Sequence, residues 1–104
     1  MMEKMDTIEK LRKKIDIIDN KLIELFDSRM KYAYKIGEIK GKNDSPIHVN
    51  DREKEIFDSL KKINANHITE NELLHLFKEI IKLGRKHGER GKSNPNEINY
   101  LKKS

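Results

Sequence analysis

Cysteine does not occur in the 104 residues, which excludes disulfides and thiolate-bound metal centres. No apolar run approaches the ~20 residues that cross a bilayer, and no signal-type segment precedes the first predicted helix. The expectation is a soluble, cytoplasmic chain. Histidine is sparse and scattered: His48, His67, His75 and His87 form no i, i+4 pair, so no metal site is expected. Nothing suggests a Ser/His/Asp arrangement. Hydrophobic residues make up only 35% of the chain, enough for the core of one domain at this length. Internal repeats and low-complexity tracts are also missing.

What is present in quantity is charge, and it is unevenly placed. The net charge is +5, yet residues 1–81 balance, with 16 basic and 16 acidic side chains. The excess lies in residues 82–104, where Lys82, Arg85, Lys86, Arg90, Lys92, Lys102 and Lys103 face only Glu89 and Glu97. Such an end could bind nucleic acid or an anionic surface. Its only aromatic is Tyr100, so no base-stacking pattern accompanies the charge, and a solvated helix end is the simpler reading.

Periodicity divides the chain into three helices, and the predicted class is all-α. The first opens on the possible capping box Asp6-Thr7-Ile8-Glu9 and runs to about Lys42, with Gly37 its one glycine before the break that starts at Gly41. Gly41-Lys42-Asn43-Asp44-Ser45-Pro46 is a turn-forming break. Asn50-Asp51-Arg52-Glu53 starts a second helix with Ile56, Leu60 and Ile63 inward. After a polar connection from Asn64 to Ile68, Thr69-Glu70-Asn71-Glu72 opens a third, with Leu73, Leu76, Phe77, Ile80 and Leu83 on its inner side. Gly84, Gly88 and Gly91 each weaken a helix by about 1 kcal/mol relative to Ala, and an irregular tail is expected from Ser93.

Within the first helix one residue breaks the pattern. Ile8, Leu11, Ile15, Ile18, Leu22 and Leu25 step by three and four along one stripe. The next step of four lands on Arg29, and the stripe resumes at Tyr32 or Ala33, Ile36 and Ile39. A guanidinium on an inward face is costly unless an anion meets it. Lys40 follows three helical turns later on the same face, about 16 Å along the axis. Two inward cations point to an anionic ligand. This helix would also run to roughly 54 Å, whereas a compact domain of this size has a radius of gyration near 13 Å. The two shorter helices cannot cover that stripe, so a symmetric homodimer is expected, with the long helices crossing between subunits.

Leu11-Arg12-Lys13-Lys14-Ile15-Asp16-Ile17-Ile18-Asp19 resembles the L-R-x-x-I-D-x-x-D opening of the all-helical (type II) chorismate mutases. Arg29 and Lys40 follow at that family's spacing. Pro46-Ile47, then Asp51-Arg52-Glu53, resemble its loop and second-helix start, and Phe77-Lys78-Glu79-Ile80-Ile81 resembles the F-x-x-I-I run of its third helix. The likeness spans about residues 8–88. It implies a three-helix protomer with a long first helix, in an intertwined homodimeric bundle. The family-like helical domain would be residues 1–92, with 93–104 a basic tail.

The resemblance also implies a chemistry: rearrangement of chorismate to prephenate in aromatic amino-acid biosynthesis, with no cofactor and no covalent intermediate. Such a reaction asks for conformational restraint and electrostatic complementarity. By the family's pattern Arg29 and Arg12 would clamp the two carboxylates of a small dianionic substrate, guanidinium being suited to bidentate contact. Lys40 would meet the ether oxygen, Glu53 would accept a hydrogen bond from the ring hydroxyl, and Arg52 would add positive field. Arg12 lies about 25 Å from Arg29 along the helix, so it would serve the partner subunit's site.

Three positions depart from the family. It places a small polar residue at 84 and Gln or Glu at 88, where this chain has Gly84 and Gly88. Asp is frequent where Val49 stands, although a backbone contact there would survive. Loss of a transition-state donor costs about 2.7–4 kcal/mol in oxyanion-hole examples. His87 or Glu89 could replace the missing group if the helix shifts, or the mutase could be slow. Two other functions fit the same pattern: action on isochorismate, eliminating pyruvate, or on amino-deoxychorismate, Arg29-Met30-Lys31-Tyr32 being similar to one such lyase; and a non-catalytic helical binding module.

Overall fold

The computed structural model describes residues 2–43 and 50–93, with side chains from residue 7 to 43 and from 51 to 93. Three helices follow in order: α1, Met2–Lys42; α2, Asn50–Lys61; and α3, Glu70–Ser93. Pro46, Ile47, His48, Val49, the side chains of Asp6 and Asn50, and the tail beyond Ser93 lie outside the described residues.

Helix α1 starts earlier than its capping box suggests. The backbone is already helical at Met2, because Met-Glu-Lys-Met is built from good helix formers that carry the helix backwards through Asp6 and Thr7. At its other end Asn43 N–H still donates to the Ile39 carbonyl at 3.1 Å, closing the last turn. Helix α2 stops at Lys61, so Ile63 falls in the connection and is 54% exposed. The chain leaves through tightened i→i+3 bonds, Lys62 N–H to Ser59 O and Ile63 N–H to Leu60 O. Helix α3 has the capping box read from its sequence. The Glu72 amide donates to Thr69 Oγ1 at 3.1 Å, and the Thr69 amide donates to Glu72 Oε1 at 2.9 Å.

Helix α3 packs on the C-terminal half of α1, and α2 docks chiefly on α3. The face that α3 turns to α1 differs from the leucine stripe expected. Ile81, Gly84, Gly88 and Gly91 are buried, whereas Leu76 and Leu83 are 50% and 43% exposed. Steps of three and four relate those buried positions, so they form one helical ridge. It has almost no side chains, and the two backbones approach closely. A methyl group at Gly37 would overlap the Gly88 carbonyl oxygen, and one at Gly91 would overlap the Tyr34 carbonyl oxygen. The glycines that looked like helix breakers therefore set the distance between α1 and α3, and α3 continues unbroken to Ser93.

A single protomer buries little. Among the described residues the buried hydrophobics are Met30, Leu60 and Ile81. Every residue from 7 to 28 is exposed, including Leu11, Ile15, Ile18, Leu22 and Leu25. The molecule measures 62 × 38 × 14 Å, with a radius of gyration of 18.8 Å against about 13 Å for a compact domain of this size. One layer of helices, 14 Å thick, has no inside in which to hide the apolar stripe of α1.

Candidate active site

A cavity of about 290 Å³ lies where the three helices meet. Helix α1 supplies Arg29, Tyr32, Ile36 and Lys40, with Ala33 and Gly37 flooring the space. Helix α2 supplies Arg52, Glu53 and Ile56, and α3 supplies Ile81, Gly84, Arg85 and Gly88. The spacings explain the convergence. Arg29, Tyr32 or Ala33, Ile36 and Lys40 recur every three or four residues, so they share one face of α1. Arg52, Glu53 and Ile56 lie in the first two turns of α2, whose N-terminal end abuts the cavity.

The floor is apolar and the rim cationic. Arg29 is partly buried, and its guanidinium pKa is lowered, first by desolvation and then by the nearby positive charge of Arg52. Arginine nevertheless stays protonated in proteins, so two like charges are held close in a partly dry space. Such an arrangement favours an anion that touches both. Gly84 contributes by what it omits: a Cβ there would sit 3.1 Å from Arg29 Nη1, so its bare backbone leaves room for that guanidinium.

Glu53 is the one acid among these lining residues, and it is engaged by Arg85. Arg85 Nε donates to Glu53 Oε2 at 2.6 Å, and Nη2 donates to Oε1, a bidentate fork between α3 and α2. The bond to Glu53 is the first cause of the raised Arg85 pKa. Arg52, by contrast, has Glu55 at 3.7 Å on a solvent-facing side, a contact of little energetic weight.

The cavity thus gathers six of the eight positions expected at the site: Arg29, Lys40, Arg52, Glu53, Gly84 and Gly88. Arg12 is not among them. It is exposed on the N-terminal half of α1, with Nη1 3.1 Å from Glu9 Oε1 on its own helix. Val49 lies outside the described residues. Neither substitute considered for the side chain missing at Gly88 reaches the cavity. His87 lines a separate hollow with Met30 and Tyr34, and Glu89 is exposed. Arg85 was legible only as part of the basic C-terminal charge. Its place follows once the buried face of α3 is fixed on Ile81 and Gly88, since it lies four residues after one and three before the other. The described residues contain no cluster of His, Asp or Glu fit for a metal ion, and no helix long and apolar enough to cross a membrane.

Comparison with known proteins gives this geometry a context. The bifunctional chorismate mutase/prephenate dehydratase of Aquifex aeolicus is 41% identical over 81 residues, covering 74% of this chain, which spans 22% of that protein's length. The chorismate mutase of Methanocaldococcus jannaschii is 37% identical over 78 residues, covering 74% of this chain and 79% of the relative. Among solved structures, chorismate mutase from Helicobacter pylori in complex with prephenate superposes with a TM-score of 0.75 at 36% identity, covering 83% of this chain and 93% of that one. The family model for chorismate mutase type II matches residues 11–89. An all-helical protomer with cations gathered around an apolar pocket, and a family match over most of its length, make this chain a member of the type II chorismate mutase family.

Proposed function

We propose that the protein is a chorismate mutase, converting chorismate to prephenate without a cofactor. The observation that carries this reading is the convergence of Arg29, Lys40, Arg52 and Glu53 on one cavity in a chain of this family. In the rearrangement the ether C–O bond breaks as a new C–C bond forms within one cyclic array of electrons. No proton or nucleophile is required from the protein. The cavity's task is to hold the extended dianion in its reactive shape and to meet the negative charge that grows on the ether oxygen. Arg29 binds one carboxylate, Lys40 donates to the ether oxygen, Glu53 accepts from the ring hydroxyl, and Arg52 adds positive field.

The active unit is a homodimer in which Arg12 of the partner subunit clamps the second carboxylate. The exposed stripe from Ile8 to Leu25 supports this reading: its Leu and Ile side chains are about half covered already, so burying the rest favours assembly by about half of the 1.5–3 kcal/mol of a full burial each. Arg12 is paired with an exposed acid on its own helix, a contact of little weight, so delivering it to a neighbouring cavity costs little.

Gly84 and Gly88 favour keeping a second reading, because they offer no side chain to the substrate: a relative such as isochorismate, whose ring–oxygen bond breaks with transfer of a ring hydrogen to the departing pyruvate instead of formation of a C–C bond. Incubation with chorismate and with isochorismate separates the two. A product of unchanged mass is expected from chorismate, and release of pyruvate from isochorismate would mark the lyase.

A further inference from the structure

We propose that Arg85 is a positioning residue for this reaction, holding the Glu53 carboxylate in the orientation that receives the substrate's ring hydroxyl. The assignment rests on the mutase reading above.

The geometry is specific. Both Glu53 oxygens are engaged by one planar guanidinium, through Nε at 2.6 Å and through Nη2, across the gap between α3 and α2. An ionised carboxylate has about four acceptor positions. The fork engages both oxygens at the edge of the cavity, which both residues line. The Glu53 side chain is 17% exposed and that of Arg85 44%, so the acid is the sheltered partner and the arginine reaches in from the rim. Because guanidinium does not deprotonate, Arg85 keeps its charge and its five donors throughout.

A carboxylate beside Arg52 and Arg29 has competing cations to turn towards. A fork fixes the plane of the carboxylate as well as its location, which a point charge cannot do. Helix α2 packs mainly on α3, so this bridge also ties the start of α2 to the helix that closes the cavity.

The test is a double-mutant cycle on chorismate turnover. Arg85→Ala should raise KM and lower kcat/KM on the order of 10- to 100-fold, the loss of a hydrogen-bonded charge partner. Arg85→Lys, which keeps the charge and loses the fork, should recover only part of it. In a Glu53→Ala background, Arg85→Ala should cause no further loss, because its effect passes through the missing acid. Losses that multiply would mean that Arg85 touches the substrate itself, and unchanged kinetics in Arg85→Ala would mean that the fork is incidental; either overturns the assignment while leaving the mutase reading intact. An inactive wild-type protein would overturn both. Circular dichroism melts identify any variant that fails to fold, in which case Arg85→Lys and Arg85→Gln carry the comparison.

Discussion

Replacing Gly37 by Ala should destabilise the protein, against the usual rule for helices. In an exposed helix that change gains about 1 kcal/mol. Here the new methyl would overlap the Gly88 carbonyl oxygen and lie 2.8 Å from its carbon and 3.0 Å from its Cα. Ordinary carbon–carbon contact is roughly 3.5–4.0 Å, so the helices must part by about 1 Å. Both obstacles are backbone, and no rotamer change relieves them. Parting α1 from α3 also loosens the seam at Gly41, where a Cβ would lie 2.7 Å from the Lys92 carbonyl oxygen, and at Gly91 against Tyr34. Overpacking costs about 1–3 kcal/mol, and backbone on both sides argues for the upper end. Subtracting the gain in helix propensity leaves a net loss of about 2 kcal/mol, a fall in Tm of roughly 8–16 °C for a domain of this size. Thermal unfolding followed by circular dichroism at fixed protein concentration measures it. Gly84→Ala is the matched control, since its methyl meets only the movable end of Arg29 at 3.1 Å, and its Tm should stay near or above wild type. A Gly37→Ala protein melting as high as wild type, or an equal loss in Gly84→Ala, would refute the packing account.

Other predictions concern assembly, the half-buried cation and the cap. Sedimentation equilibrium should give a dimer whose dissociation coincides with unfolding, because the protomer buries so little by itself; a folded monomer at micromolar concentration would contradict this. Arg29→Ala should abolish turnover while the fold holds or gains stability, since a desolvated charge beside Arg52 is removed; an unfolded variant that keeps its activity per folded molecule would show a structural role instead. Thr69→Ala should cost about 1 kcal/mol in a urea titration, the usual value of an N-cap. Glu72 has a pKa below its ordinary 4.5, held down first by the Thr69 amide and then by its hydroxyl. Its stabilising effect is therefore complete above pH 4.5 and fades as pH falls through the lowered value; Glu72→Gln should flatten that part of the stability–pH curve.

Much of the candidate site was legible because it is written in helical steps. Arg29 and Lys40 are two mismatches on one apolar face, and that periodicity survives in the structure as the α1 side of one cavity. The Thr69–Glu72 box was legible for the same local reason, as both hydrogen bonds lie within four residues. Contacts that depend on how α3 meets α1 were not. Glycine reads as a helix weakener by propensity, and only the neighbouring backbone shows that Gly37 and Gly91 are sites of close approach. The same displacement of the buried face, from Leu76 and Leu83 to Ile81 and Gly88, concealed Arg85. Its partner Glu53 is 32 residues away, a separation at which no local pattern speaks. The start of α1 was missed because a capping box does not stop a helix whose preceding residues also favour it.

The most direct test of the central claim follows chorismate incubated with purified wild-type protein and with Arg29→Ala. Loss of chorismate absorbance should be catalysed by the wild type alone, and the product should be prephenate, identical to chorismate in mass. Catalysis that survives in Arg29→Ala, or wild-type protein that leaves chorismate unchanged, would contradict the account.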